Sequence, residues 1–240
     1  MGEIILHHLT QSRSHRIVCL LKELDLPFEF RVYQRDPVTS RSPAELQKIH
    51  PLGKSPVIED QTGKVISESG TITEFLVSKY GANSELKPAT ADEEFEIRHL
   101  MTHAEGSMQP IEVLLYVTSK LRTGSATPFF IRPIARKIAD GLDNGYAAPD
   151  LKLQLRYLDG LLAKNGTGWF VGNHISGADI MYSFCVGGAF RFTDVTPEKY
   201  PHICKWWDMI RERPAYKAAN EAVKQAESLS KKAPAVQSNL

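Results

Sequence analysis

Apolar positions follow two different rhythms along the chain. As far as Tyr80 they fall in short alternating or paired runs separated by polar breaks; from Asp92 onward they recur every three to four residues. Glu3 to His7 reads as a short strand, and Thr10-Gln11-Ser12-Arg13-Ser14-His15 as a polar loop into a helix. Ile17, Leu20, Leu21 and Leu24 set that helix's apolar face, and Asp25-Leu26-Pro27 stops it. Phe28, Phe30 and Val32 alternate with Glu29, Arg31 and Tyr33, which predicts a second strand, parallel to the first across a β-α-β unit. Ser42-Pro43-Ala44-Glu45 has the form of a capping box with proline at the first helical position, predicting a short helix through Ile49.

The run from His50 to Ser69 carries the densest backbone instruction. Val57-Ile58 and Val65-Ile66 flank the polar break Asp60-Gln61-Thr62-Gly63, as a β-hairpin requires. Glu68 and Ser69 close the second strand and open a helix to Tyr80, with Ser69 as the expected N-cap. The amides at such a helix start suit a small carboxylate. The strand edge at Lys54-Ser55, just before Pro56, suits pairing with an extended peptide. Together they predict a pocket for a short acidic peptide. The order β-α-β-α-β-β-α is that of a thioredoxin-like α/β domain.

Gly81 to Thr90 lapses into a linker, and the chain beyond it is helical, so the second domain reads as all α. Glu93 to Leu121 forms one long helix or one kinked at Pro110; its stripe of Met101, Met108, Ile111 and Leu115 fits a core first and a ligand pocket second. Thr123 to Phe130 reads as a loop before a helix over Ile131 to Asp143, and Leu151, Leu155, Leu158, Leu161 and Leu162 mark another ending near Asn165-Gly166. Ser176 and Asp179 form a variant capping box with Ile175 and Ile180 as its staple, a helix start that serves folding. A last helix carries Trp206 and Trp207 over the core and stops at Pro214. The expected divisions are residues 1–82, a linker over 83–91, a helical domain over 92–223 and a frayed tail over 224–240.

Composition narrows the function. With 240 residues, 42% of them hydrophobic, and a formal charge of +1, the chain has material for one large or two modest domains and no basic footprint for nucleic acid. No apolar run reaches the ~20 residues of a membrane span, and the start lacks the basic segment of a signal peptide. Cys19, Cys185 and Cys204 lie far apart in helical patterns, which points to buried thiols in a reducing, cytoplasmic setting. Asn165-Gly166-Thr167 matches a glycosylation acceptor but reads as a turn, and Ser238-Asn239-Leu240 only weakly matches a peroxisomal tripeptide.

Leu52-Gly53-Lys54-Ser55-Pro56-Val57-Ile58 followed by Glu68-Ser69, with Ser12-Arg13-Ser14-His15-Arg16, Ser176-Gly177-Ala178-Asp179-Ile180 and Arg213-Pro214-Ala215-Tyr216, resembles the soluble glutathione transferase family over nearly the whole chain. His103 to Met108 and Pro128 to Pro133 are similar to its fungal and bacterial branch. The resemblance implies glutathione as co-substrate, no metal, and a cis Ser55-Pro56 bond whose serine main chain pairs with the cysteine of glutathione. It also implies that Glu68 meets the γ-glutamyl ammonium, Ser69 its carboxylate, and Lys54 the glycine carboxylate with help from Arg41. It further implies a homodimer, and a small-molecule electrophile held between the domains, for which Met108 and Tyr116 are candidates.

The implied chemistry is attack of the glutathione thiolate on hydrophobic electrophiles in detoxification, with glutathione-dependent peroxidase activity in oxidative stress as a second use. Bringing a thiol from a pKa near ~8.5 to mostly thiolate at neutral pH takes about two units, or roughly 2.7 kcal/mol. One charge-assisted hydrogen bond supplies about 1.5 to 3 kcal/mol. Between Leu6 and Arg16 there is neither tyrosine nor cysteine, so the serine-type pattern makes Ser12 the first candidate donor, Ser14 the second and Arg13 a further one. Either serine could instead simply cap the first helix. The competing reading is a non-catalytic glutathione-binding or regulatory module of the same fold.

Overall fold

The computed structural model describes residues 3–37, 39–123 and 128–232. They divide into two compact units, one comprising the described residues up to Ser84 together with those from Glu212 onward, the other Glu85–Arg211.

The first unit is built on a four-stranded sheet of order β2-β1-β3-β4, with β1 (Ile4–Leu9) parallel to β2 (Phe28–Tyr33) and antiparallel to β3 (Val57–Glu59), which pairs antiparallel with β4 (Val65–Ser67). β1 extends two residues beyond the expected His7, to Leu9. Ile4, Leu6, Val57 and Ile58 are buried, as are Ile17, Val18, Leu20 and Leu21 of α1 (Ser14–Glu23) and Ile72 and Leu76 of α3 (Ser69–Tyr80). Their 3.6-residue spacing turns one helical face onto the sheet.

Two expected caps differ. α2 (Glu45–Ile49) starts after Ala44 with no side-chain cap; the Ser42 hydroxyl instead donates to the Gly53 carbonyl at 2.6 Å, tying the segment before α2 to the one after it. At α3 the N-cap is Glu68, and Ser69 is the first helical residue.

The expected boundary at 223 and tail from 224 are also corrected. α10 (Pro214–Lys232) is helical well past 224 and belongs to the sheet unit, packing on α1 and β2. Polar anchors explain why this lysine-rich segment stays ordered. Arg213 donates twice to the Glu23 carboxylate, at 2.6 and 2.8 Å; His15 bonds Asn220 at 2.7 Å and meets the Tyr216 ring edge-on. The remainder of the expected tail, 233–240, lies outside the described residues, as do 124–127 of the expected loop.

The second unit is helical. The expected long helix is two, α4 (Ala91–His103) and α5 (Gln109–Thr123), joined by one π-turn over Ala104–Met108. α6 (Arg132–Leu142) and α7 (Ala148–Asn165) are joined the same way over Asp143–Ala147. Each π-turn precedes a proline, Pro110 or Pro149, whose missing N–H cannot serve the ladder and whose ring crowds the carbonyl four residues back. α7 ends at Gly166 with φ 70°, and the Asn165 side-chain amide bonds the carbonyls of Trp169 and Gly172, the turn role expected of Asn165.

α8 (Gly177–Ala189) begins with the expected box. The Ser176 amide and hydroxyl both donate to Asp179, whose carboxylate also accepts Trp206 Nε1 at 2.8 Å from α9 (Pro201–Glu212) and the Phe170 amide at 3.4 Å. Asp179 and Trp206 are fully buried, so a folding cap doubles as a tie between α8 and α9; Trp207 is half-buried. Of the cysteines, Cys19 and Cys185 are buried as expected, whereas Cys204 is half-buried. Among the described residues no helix is long and apolar enough to cross a membrane.

One carboxylate supports the hairpin. Asp60 accepts from the Thr62 amide at 2.8 Å, the Thr62 hydroxyl at 2.6 Å, the Lys64 amide at 3.0 Å and Lys79 of α3 at 3.1 Å. The Thr62 hydroxyl, the backbone amides and Lys79 together hold its carboxyl well below the usual aspartate range. Its folded pKa is depressed, so its stabilisation is complete above the ordinary aspartate pKa and vanishes as pH falls through the folded value. Asp60→Ala is expected to cost about 2 kcal/mol at pH 7 and less below pH ~3. Urea midpoints at the two pH values check it; an equal loss at both contradicts the assignment.

Candidate functional site

Strand direction gathers the predicted residues at one end of the sheet. β1 runs into the loop carrying Ser12, β3 starts from Ser55-Pro56, and β4 ends at Glu68-Ser69. With His7 opposite Val57 and Val57 opposite Ser67, the paired register ends one residue short of His8, Pro56 and Glu68, so all three leave the sheet at the same end. Pro56 has no N–H, so the β1–β3 ladder cannot continue through it. The Ser55 hydroxyl continues it instead, donating to the His7 carbonyl at 2.8 Å and accepting from the Leu9 amide at 3.1 Å. The Ser55-Pro56 peptide is cis.

Beside it, Glu68 has φ 70° and ψ 122°, a conformation a side-chain-bearing residue adopts at a cost of about 1–3 kcal/mol. That backbone starts α3 while leaving the Glu68 carboxylate exposed and Ser69 only 4% exposed at the helix N-terminus. Lys54 and Arg41 are exposed cations next in sequence to Gly53 and Ser42, which the 2.6 Å hydrogen bond ties together. The arrangement offers first-turn amides to an anion, a carboxylate to a cation, and two cations to a second anion.

The loop after β1 is pinned by a residue the sequence did not single out. Arg35 donates to the carbonyls of Thr10 at 2.9 Å, Gln11 at 3.3 Å and Ser40 at 3.0 Å. Gln11 takes φ 52°, and the chain then turns into α1 with Arg13 half-buried at its N-cap. Ser12 is 8% exposed and Ser14 wholly buried. Neither is the N-cap, although the Ser14 amide donates to Ser12 Oγ at 3.3 Å. The two hydroxyls lie 2.7 Å apart; Ser14 Oγ is 2.8 Å from His8 Nδ1, and His8 Nε2 is 3.1 Å from Glu227 Oε1 of α10. Burial lowers the His8 pKa, and the Glu227 carboxylate only partly opposes it. Sequence reading missed His8 and Glu227. One of two adjacent histidines in a strand and a glutamate in a polar tail carry no pattern, and only the docking of α10 joins them.

In the helical unit Met108 is fully buried and Tyr116 is exposed. A cavity of about 290 Å³ there is lined by Gly106, Ser107, Pro110, Ile111, Tyr146 and Asp150, with Gln154. It opens where the two π-turns displace their helices, and neither Met108 nor Tyr116 lines it.

Comparison with known proteins shows the family. Residues 2–78 match the family model for the glutathione S-transferase N-terminal domain, and residues 131–214 the model for its C-terminal domain. Glutathione S-transferase 1 of Saccharomyces cerevisiae is 37% identical over 223 residues, 91% of this chain and 94% of its own length. A crystal structure of a glutathione S-transferase from Actinobacillus pleuropneumoniae aligns with a TM-score of 0.71 at 30% identity, covering 92% of this chain and 93% of that one. A glutathione transferase homologue from Lodderomyces elongisporus, determined with two glutathione molecules per subunit, shares the fold at a TM-score of 0.72 and 18% identity, over 92% of this chain and 99% of that one. Matched by the family's models in both of its halves, and by a full-length relative, the chain belongs to the glutathione S-transferase family.

Proposed function

We propose that the chain binds glutathione at the sheet end where β1, β3 and β4 meet and conjugates its thiolate to hydrophobic electrophiles. The same thiolate reduces organic hydroperoxides, with glutathione as reductant. The observation that carries this reading is the register that brings His8, Pro56 and Glu68 to one end of the sheet, where Glu68 is held at φ 70° beside a buried Ser69.

In this reading the amides of the first turn of α3 and the Ser69 hydroxyl take the γ-glutamyl carboxylate, and Glu68 takes the ammonium. The Ser55 main chain pairs with the cysteine of the tripeptide, since its side chain is already engaged with β1. Lys54, assisted by Arg41, meets the glycine carboxylate. Ser12, the more exposed of the two loop serines, adjoins the thiol, with Arg13 at the same helix start. The alternative is a glutathione-binding module without chemistry, in which the same hydrogen-bonded serines only satisfy buried polar groups.

Ser12→Ala is expected to raise the pKa of bound glutathione by about one to two units and to lower turnover of an aryl halide about tenfold or more at neutral pH. Glutathione affinity should stay within a few-fold. Thiolate absorbance against pH measures the first and a chlorinated aromatic the second; no change in either removes Ser12. Wild-type protein that binds immobilised glutathione but never turns over would establish the module instead.

Glu68→Ala should weaken glutathione about tenfold or more by calorimetry through loss of the charge-assisted contact. Glu68→Gly should weaken it similarly while being more stable than the alanine variant by about 1 kcal/mol, because glycine tolerates positive φ. Unchanged affinity in both takes Glu68 out of the site.

A homodimer is part of the same proposal. Phe129, Phe130, Ile134 and Ile138 form an exposed apolar run at the start of α6, which supports self-association. Sedimentation is expected to give two subunits, and a mass of one rejects the dimer.

A further inference from the structure

Ser12, Ser14, His8 and Glu227 form one unbroken hydrogen-bonded chain, with successive separations of 2.7, 2.8 and 3.1 Å. We propose that this chain is a proton relay in which His8, acting through the two serines, takes up the proton that the glutathione thiol gives up. The proposal rests on the reading that Ser12 adjoins the thiol.

The donor inventory sets the direction of every bond. An ionised Glu227 can only accept, so His8 Nε2 carries the proton of the neutral imidazole and donates it. His8 Nδ1 is then an acceptor, and Ser14 must spend its single hydroxyl proton on it. Ser14 Oγ can therefore only accept from Ser12, whose own proton is committed inward. That leaves Ser12 Oγ with two acceptor positions. One takes the Ser14 amide at 3.3 Å, and the other is available to a thiol S–H. In the resting protein Ser12 thus meets the thiol as an acceptor, and its hydroxyl is not yet a donor to a thiolate.

The proton balance closes without any further reactant. The S–H bond breaks and its proton joins Ser12 Oγ; the former Ser12 proton passes to Ser14 Oγ, and the former Ser14 proton passes to His8 Nδ1. The products are a thiolate accepting a hydrogen bond from Ser12, and an imidazolium donating to Ser14 on one side and Glu227 on the other. Net charge is unchanged, and each hydrogen bond ends reversed except the one to Glu227. After the thioether has left, the steps run in reverse: His8 Nδ1 returns its proton to Ser14, Ser14 to Ser12, and Ser12 to the water that takes the thiol's place, which restores the resting tautomer with Nε2 still bonded to Glu227.

The surroundings suit a base of this kind. His8 is 1% exposed, with the Phe30 ring edge-on at 5.7 Å from β2, and burial keeps it neutral and able to accept. From α10 Glu227 favours the imidazolium once the thiolate exists. On α1 the titratable neighbour is His15, itself held low chiefly by burial and influenced by His8, Arg16 and Glu227. The thiol and His8 share one proton, so the observed pKa values belong to the pair.

Glu227→Gln and Ser14→Ala separate a relay from a merely structural chain. Each is expected to raise the pKa of bound glutathione by about one unit and to cut kcat/KM for an aryl halide about tenfold at pH 6.5. Both curves should rejoin the wild type at alkaline pH, where solvent deprotonates the thiol, and KM for glutathione should stay unchanged. His8→Gln should behave likewise; if it does not fold, the partly exposed Glu227 position carries the test. A uniform loss at every pH overturns the relay. So does an unchanged thiol pKa in these variants beside a raised one in Ser12→Ala, which leaves Ser12 as a simple donor. No effect of Ser12→Ala overturns the glutathione reading and the relay together.

Discussion

The Ser55 hydroxyl, bonded both to the His7 carbonyl and to the Leu9 amide, holds the start of β3 against the end of β1 where proline has removed the backbone donor. The site depends on this substitution of a side chain for a ladder bond. The paired register ends at His7, Val57 and Ser67, so the loop with Ser12, Pro56 and Glu68 all leave the sheet at this end. The Ser55 hydroxyl has spent its one proton on the His7 carbonyl, so it has no further donor to offer. The cis peptide and the left-handed Glu68 are further features of the same sheet end.

α10 extends this organisation from the far end of the sequence. Its ties to His15 and His8, and that of Arg213 just before it to Glu23, run along α1 and β1, so the segment that looks least like structure by composition supplies the carboxylate that orients a buried histidine. A polar helix whose anchoring contacts are ionic and amide bonds shows a weak apolar pattern, since its docking energy is divided between packing and paired charges. The sheet unit is therefore completed only when the last helix is in place.

In the helical unit a different economy operates, with prolines creating two π-turns that line a cavity and one buried aspartate joining two helices. Burial pushes the Asp179 carboxyl up while its four donors oppose that shift. Removing the partners of such a group leaves an uncompensated buried polar atom, which is why the cap residue and Trp206 act as a pair.

Much of this was determined by local sequence. Alternation at Phe28–Tyr33, the Asp60–Gly63 break and the Ser176/Asp179 box specify their elements through contacts only a few residues apart, and β2, the hairpin and α8 follow them. The motif around Ser55-Pro56 and Glu68-Ser69 likewise made the family legible, because turn chemistry and helix ends are local. Tertiary structure decided what local rules leave open. Ser42 gave up its capping role for the Gly53 carbonyl, and Ser12 and Ser14 left capping for a polar chain. The stretch read as a tail from 224 instead brought Glu227 to His8 across 219 positions of sequence. Propensity can say that a serine is able to cap or that a glutamate is solvated. Which partner it takes is set by the groups that burial brings within about 3 Å, and that is a property of the packed chain.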